Sequence, residues 1–129
     1  GLGAGLLAFT DATLRRGVDI VIDRTDLRAK VAGVDLVVTG EGRLDGQTRF
    51  GKTPLGVALV AREAGVPVVA IAGCLGDGFE ELYDEGFAAI VPILSRLGTF
   101  ADVLAAGPDN VVRTARELGH LLRLRIGPD

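Results

Sequence analysis

Residues able to do chemistry concentrate in one stretch, Thr39-Gly40-Glu41-Gly42-Arg43-Leu44-Asp45-Gly46-Gln47-Thr48-Arg49-Phe50-Gly51-Lys52-Thr53-Pro54. Glu41 and Asp45 supply carboxylates that can hold Mg²⁺ or accept a proton. Arg43 and Lys52 supply cations that can neutralise a carboxylate or a transferring phosphoryl group. Gln47 and Thr48 can orient a hydroxyl. Gly40, Gly42, Gly46 and Gly51 let backbone N–H groups come close to a ligand. Thr53 can cap a helix with Pro54 at its first position, where the missing N–H costs nothing. The start of that helix would favour an anion in the same space. A capped turn carrying a surface ion pair accounts for the same residue types.

The flanking elements must position this stretch. Residues 17–22, 33–38, 65–71 and 86–91 each open on a glycine and continue into a short run rich in β-branched or apolar residues. Each reads as a buried strand, with the glycine ending a preceding helix. Helices are expected from about 3 to 16, 53 to 64, 79 to 85 and 108 to 124. The last would place Val111, Val112, Ala115, Leu118 and Leu122 on one stripe and Arg113, Arg116, Arg123 and Arg125 on a solvated face. Thr99 and Asp102 have capping-box-like spacing. The expected fold is α/β, a mainly parallel sheet with flanking helices, as a single domain over residues 1–129. Strand order is not specified. The chemical stretch then follows the second strand, where ligands bind in open α/β sheets. As a connection of about thirteen residues it is longer than structure alone requires.

Composition narrows the function classes. The chain has 129 residues, 48% of them hydrophobic, a net charge of −3 and a sequence pI near 5. A domain of this size buries roughly two thirds of its unfolded surface. No basic stripe offers a footprint for nucleic acid. No apolar run reaches the ~18 residues of a membrane span, and no signal-peptide layout is present. One cysteine, Cys74, excludes an internal disulfide and fits a reducing cytoplasm. One His and one Cys argue against zinc. His120, alone on a late helix, reads as structural or solvated, and Cys74 lacks a basic neighbour to activate it. Ser95 is not in a nucleophile-elbow pattern. The absence of methionine and the opening Gly1-Leu2-Gly3-Ala4-Gly5 lead us to expect a fragment or excised domain of a longer protein. That opening could bind phosphate or simply permit close packing.

Gly46-Gln47-Thr48-Arg49-Phe50-Gly51-Lys52-Thr53 spells a Walker A motif. Residues 40–45 intervene between the expected strand and this motif, Pro54 stands where N–H groups are needed, and no later strand ends in a Walker B aspartate. A true P-loop is therefore not expected, although Lys52 can still face phosphate. Gly73-Cys74-Leu75-Gly76-Asp77-Gly78 follows another strand and should share an edge with the main stretch. Asp77 could reach the site or cap a helix.

The segment from Thr39 to Thr48, followed by Gly51-Lys52-Thr53-Pro54-Leu55-Gly56-Val57-Ala58, resembles the signature of the bacterial glycerate kinase family, T-G-E-G-R-[IL]-D-x-Q-[ST]-x-x-G-K-x-P-x-G-V-A. Every fixed position is met. Similarity extends to residues 1–9, Val69-Ala70-Ile71-Ala72-Gly73, and the late segment from Phe87-Ala88-Ala89-Ile90 through Leu97-Gly98-Thr99. Members of the family are about three times longer and have two α/β domains, and this chain resembles their C-terminal third. The resemblance implies transfer of the γ-phosphoryl group of ATP to D-glycerate with Mg²⁺, in a cleft between domains. It implies catalytic roles for Asp45, Arg43 and Lys52, and substrate contacts from Gly40, Glu41, Gly42, Gln47, Thr48 and Thr53. Asp45 is expected as base or Mg²⁺ ligand, with Glu41 taking the other role or orienting Arg43. The chain would supply one wall of the site, be inactive alone, and expose apolar surface able to pair with the rest of the parent chain or to form a homodimer. The alternatives are a stand-alone anion- or nucleotide-binding module, a non-catalytic remnant, or a kinase for another small hydroxy acid.

Overall fold

A computed structural model describes residues 2–94 and 96–124. Gly1, Ser95 and Arg125, which figure in the sequence reading, lie outside the described residues. The order of elements is α1 (Leu2–Phe9), α2 (Gly17–Thr25), α3 (Leu27–Val31), β1 (Val37–Leu44), α4 (Thr53–Glu63), β2 (Val68–Leu75), β3 (Phe87–Pro92), α5 (Phe100–Ala105) and α6 (Gly107–Leu121). Short 3₁₀ turns occupy Gly46–Phe50 and Phe79–Leu82.

The three strands form a parallel sheet in the order β1-β2-β3. Val37 pairs with Val68 and Leu44 with Leu75, so β1 and β2 end together. The β2–β3 register shifts between Val68 and Val69. β2 is the central strand and supplies buried Val68, Val69, Ala70 and Ala72. On α4, Leu55, Ala58 and Ala61 recur at helical spacing and are buried, and Ala58 and Ala61 join the core cluster. Val18, Ile22 and Val31 from α2 and α3 close the same core. Each fully enclosed leucine, such as Leu44 and Leu82, contributes about 2 kcal/mol by leaving water.

Four expectations require correction. Residues 17–22 form a helix. Val18 and Ile22, four apart, are buried while Ile20 and Val21 are exposed, so a helical period fits the one apolar surface available and overrides β-branching. The expected strand 33–38 begins at Val37 and continues through Leu44, so the long connection shrinks to a strand end and one tight turn. The first helix stops at Phe9. The last helix forms over Gly107–Leu121, near its expected span, and the Thr99–Asp102 capping box opens the separate α5, but of the expected stripe Val111, Val112 and Leu122 are exposed, and the residue that α6 buries is Asn110. Gly33, Gly65 and Gly86 have positive φ, as expected of residues that end a preceding turn of chain, whereas Gly17 starts α2.

Candidate functional site

The close of β1 and the turn after it bring three charged side chains together. Arg43 Nε donates to Asp45 Oδ2 at 3.0 Å. Lys52 Nζ donates to Asp45 Oδ1 at 3.4 Å, and the Gln47 amide donates to the same oxygen at 3.1 Å. Asp45 thus joins a cation from the strand end to a cation at the head of α4. Two cations against one carboxylate leave a surplus charge of +1. Exposure is graded: the Asp45 side chain is 15% accessible, Lys52 34% and Arg43 61%. The carboxylate is recessed and the guanidinium faces solvent, an arrangement suited to an incoming anion.

The local sequence explains the turn. Asp45 caps the 3₁₀ turn, and Thr48, three residues on, completes a capping box by accepting from the Asp45 amide at 3.2 Å. Thr48 is fully buried, so any influence on a substrate runs through Asp45. Gly51 closes the turn with φ 100°, a conformation that disfavours any side chain. Lys52 takes the N-cap position, Thr53 is the first helical residue and Pro54 the second, a shift of one from the expected cap. Thr53 and the Gln47 side chain lie at the surface.

Partial burial pushes the Asp45 carboxyl up. The hydrogen bond from Arg43, then the charge and hydrogen bond of Lys52 and the Gln47 amide, outweigh it and hold the group below the ordinary carboxylate range. Asp45 therefore stays ionised and is already engaged at both oxygens. Orientation of Arg43 comes from Asp45 rather than Glu41. Glu41 lies two residues before Arg43 on the exposed edge strand, hence on the same side of it. No group of three or more His, Cys, Asp or Glu side chains that could hold a metal occurs among the described residues. Of the two expected ligands, Asp45 is the carboxylate engaged by Arg43 and Lys52.

Gly40 and Gly42 lie within β1. A Cβ at Gly40 would stand 2.6 Å from the Ile71 carbonyl oxygen, so β1 and β2 approach more closely there than an alanine allows. A cleft of about 340 Å³ opens beside Gly40, Glu41, Gly42, Ile71 and Gly73. It is continuous in its lining with an apolar cleft of about 440 Å³ that adds Cys74, Phe100 and Val103, and both share Gly42, Gly73 and Ile93. Arg43, Asp45 and Lys52 do not line either cleft.

The turn after β2 abuts the site, as its place in a parallel sheet predicts. Gly76 N donates to Leu44 O at 2.8 Å and Gly46 N to Asp77 O at 3.0 Å. Arg49 forms an ion pair with Glu81 across the two turns. Asp77 takes part through its carbonyl, and Gly78 holds the N-cap of the following turn without a side-chain bond, so Asp77 is not a helix cap. The role of Asp45 as a cap was missed in the sequence, although its spacing to Thr48 carries the signal.

The chain is similar in sequence and fold to known proteins. The profile of the Glycerate kinase family matches residues 1–123. A glycerate kinase of Haemophilus influenzae is 42% identical over 125 residues, covering 97% of this chain and 33% of its own. One from Halalkalibacterium halodurans is 44% identical over 118 residues, covering 92% and 31%. The glycerate 2-kinase of Escherichia coli is 37% identical over 124 residues, covering 96% and 32%. A crystal structure of a protein named "putative glycerate kinase 2" from Salmonella typhimurium LT2 superimposes with a TM-score of 0.71 at 42% identity, over 95% of this chain and 31% of the other. The chain spans about a third of the length of these relatives. With the motif, the parallel sheet and the match over nearly its whole length in agreement, the chain belongs to the glycerate kinase family.

Proposed function

We propose that this chain supplies one wall of the active site of an ATP-dependent glycerate kinase, in the cytoplasm, and does not turn over without the rest of that enzyme. The observation that carries the reading is the Arg43–Asp45–Lys52 cluster, a preassembled cationic surface at the end of a parallel strand. In the reaction a hydroxyl oxygen of D-glycerate bonds to the γ-phosphorus of ATP and releases its proton to solvent, the bond to the bridging oxygen breaks, and ADP leaves. Such transfers depend on positioning and charge stabilisation more than on covalent help from the protein. Arg43, the most exposed cation of the cluster, binds the substrate carboxylate or the moving phosphoryl group. Lys52 and the start of α4 face anionic oxygens. Asp45, already ionised and paired, holds both cations in register. Glu41 would hold Mg²⁺, which would supply charge neutralisation on the phosphates. Gly40 and Gly42 keep the strand edge open for backbone contact, and Gln47 and Thr53 present polar groups beside it. The exposed apolar residues of the terminal helices would meet the remainder of the parent chain, or a second copy.

The direct test is phosphoglycerate formation from D-glycerate and Mg-ATP by the full-length parent, with this chain alone assayed in parallel. Activity in the parent and none in the chain is expected. Turnover by the chain alone would refute the shared-site reading. An inactive parent would favour an anion-binding module or a remnant, and other hydroxy acids would then be tried as substrates.

A further inference from the structure

We propose that Gly76 is a positioning residue, the seat on which the Arg43 guanidinium rests, so that glycine at 76 keeps Arg43 paired with Asp45 and aimed at the anion. The inference rests on the kinase reading only for the consequence in turnover. The seat itself is geometric.

Gly76 follows the last residue of β2. A Cβ at this position would lie 2.5 Å from Arg43 Nη2, 2.8 Å from Nε and 2.9 Å from Cζ. All three distances are shorter than real Cβ contacts, and all three atoms belong to the planar guanidinium. That group therefore lies against the bare Cα. Nε is also the atom that donates to Asp45 Oδ2 at 3.0 Å. A methyl group at 76 would displace the nitrogen that makes the ion pair.

The turn cannot retreat to make room. Gly76 N is bonded to Leu44 O at 2.8 Å, and Leu44 directly follows Arg43. The next residue is held in turn by Gly46 N donating to Asp77 O at 3.0 Å. The displaced partner must be Arg43, whose side chain is 61% exposed and free to swing outward. Gly76 is absent from the positive-φ glycines, unlike Gly78 at φ 75°, so its backbone conformation is open to alanine. Conformational freedom explains Gly78, whereas the space needed by another side chain explains Gly76.

The experiment is a double-mutant cycle in the full-length parent with Gly76→Ala, Arg43→Ala and the pair, reading kcat, KM and thermal unfolding. In parallel, the Arg43 Nε–H resonance is followed in ¹⁵N spectra, assigned by its loss in Arg43→Ala. Gly76→Ala should reduce kcat/KM by about 10²-fold, as expected for a misplaced charge near the reacting atoms. It should cost nothing further once Arg43 is alanine. The Nε–H resonance should shift as its bond to Asp45 is lost. Additive losses, or an unchanged resonance, would overturn the proposal. If Gly76→Ala unfolds the protein, recovery of folding in the Arg43→Ala background supports the seat, and persistence of unfolding overturns it. If the wild-type parent does not phosphorylate glycerate, the kinase reading falls and the resonance alone decides the seat.

Discussion

The middle of the chain and its two ends treat apolar side chains in opposite ways. Among the described residues, every buried hydrophobic side chain lies between Val18 and Ile90, where α2, α3, α4 and the sheet enclose one core. The terminal helices α1 and α5 bury nothing, and α6 buries only Asn110. Leu2, Phe9, Leu97 and Phe100 are each more than three quarters exposed. A single exposed leucine carries no message, but apolar side chains exposed at both ends of the chain are consistent with the proposed cover by the rest of the parent. The site lies at the rim of the well-packed region. Its turn is anchored from below by Leu44 and Thr48, both fully buried, while its cations face outward. Rigid support beneath exposed charge is what a positioning site requires.

The largest expected effect tests the outward side of that contrast. Asp45→Asn keeps an oxygen to accept the Gln47 amide and complete the cap, but removes the charge that holds Arg43 and Lys52. Turnover by the full-length parent should fall by about 10²-fold or more as both cations lose their register, with little loss of structure by circular dichroism. Wild-type turnover in this variant would show that the cluster is only a capped turn. The pH dependence has a definite sign. The Asp45 carboxyl is held below its ordinary range in the folded state, so its contribution to stability is complete above the unfolded value. It is lost as pH falls through the folded value. The stability gap between wild type and Asp45→Asn should be full at neutral pH and close in acid. A gap that widens on acidification would contradict the assigned partners.

The next effect tests the contrast in packing. Leu82, fully buried beneath the turn after β2, should cost about 2–5 kcal/mol when cut to alanine. Leu97, 94% exposed, should cost less than about 0.5 kcal/mol in the same chain. Urea unfolding of the two variants measures both. Comparable losses would erase the distinction between centre and ends. In the parent, a loss at Leu97 rising above about 1 kcal/mol would show that the rest of the protein covers that end.

The same contrast governs how much the sequence discloses. β2, β3 and α4 are readable because their side chains answer to one buried surface and their periods match it. Residues 17–22 mislead because four β-branched residues among six mimic a strand, and only the packing of Val18 and Ile22 against α4 settles the period. β1 is the reverse case. Gly40-Glu41-Gly42-Arg43 has the composition of a loop, yet it is an edge strand in which the closeness of β2 requires a glycine at position 40. The chemical residues stand out by type and spacing. Their partnership does not, since Arg43, Asp45 and Lys52 meet only after the turn folds. The seat at Gly76 lies beyond any local pattern, because it depends on a neighbour in the adjacent strand 33 residues earlier in the sequence.

The smallest effect concerns an element with no core to lean on. α5 has six residues and buries none of them, so its capping box is a large share of what holds it. Thr99 Oγ1 accepts from the Asp102 amide at 3.2 Å, and the Thr99 amide donates to Asp102 Oδ2 at 3.1 Å. Thr99→Ala should cost about 1 kcal/mol. The loss should appear first in the amide protection of Val103, whose N–H bonds to the Thr99 carbonyl at 3.0 Å. Amides of β2 should keep their protection, because the central core does not depend on α5. The hydroxyl and amide of Thr99 hold the Asp102 carboxyl below its ordinary range against a smaller opposing effect of burial. The difference between wild type and Thr99→Ala should therefore be complete at neutral pH and shrink as Asp102 becomes protonated. If protection in β2 fell together with that of α5, the ends and the centre would be one cooperative unit, and the division between them would be wrong.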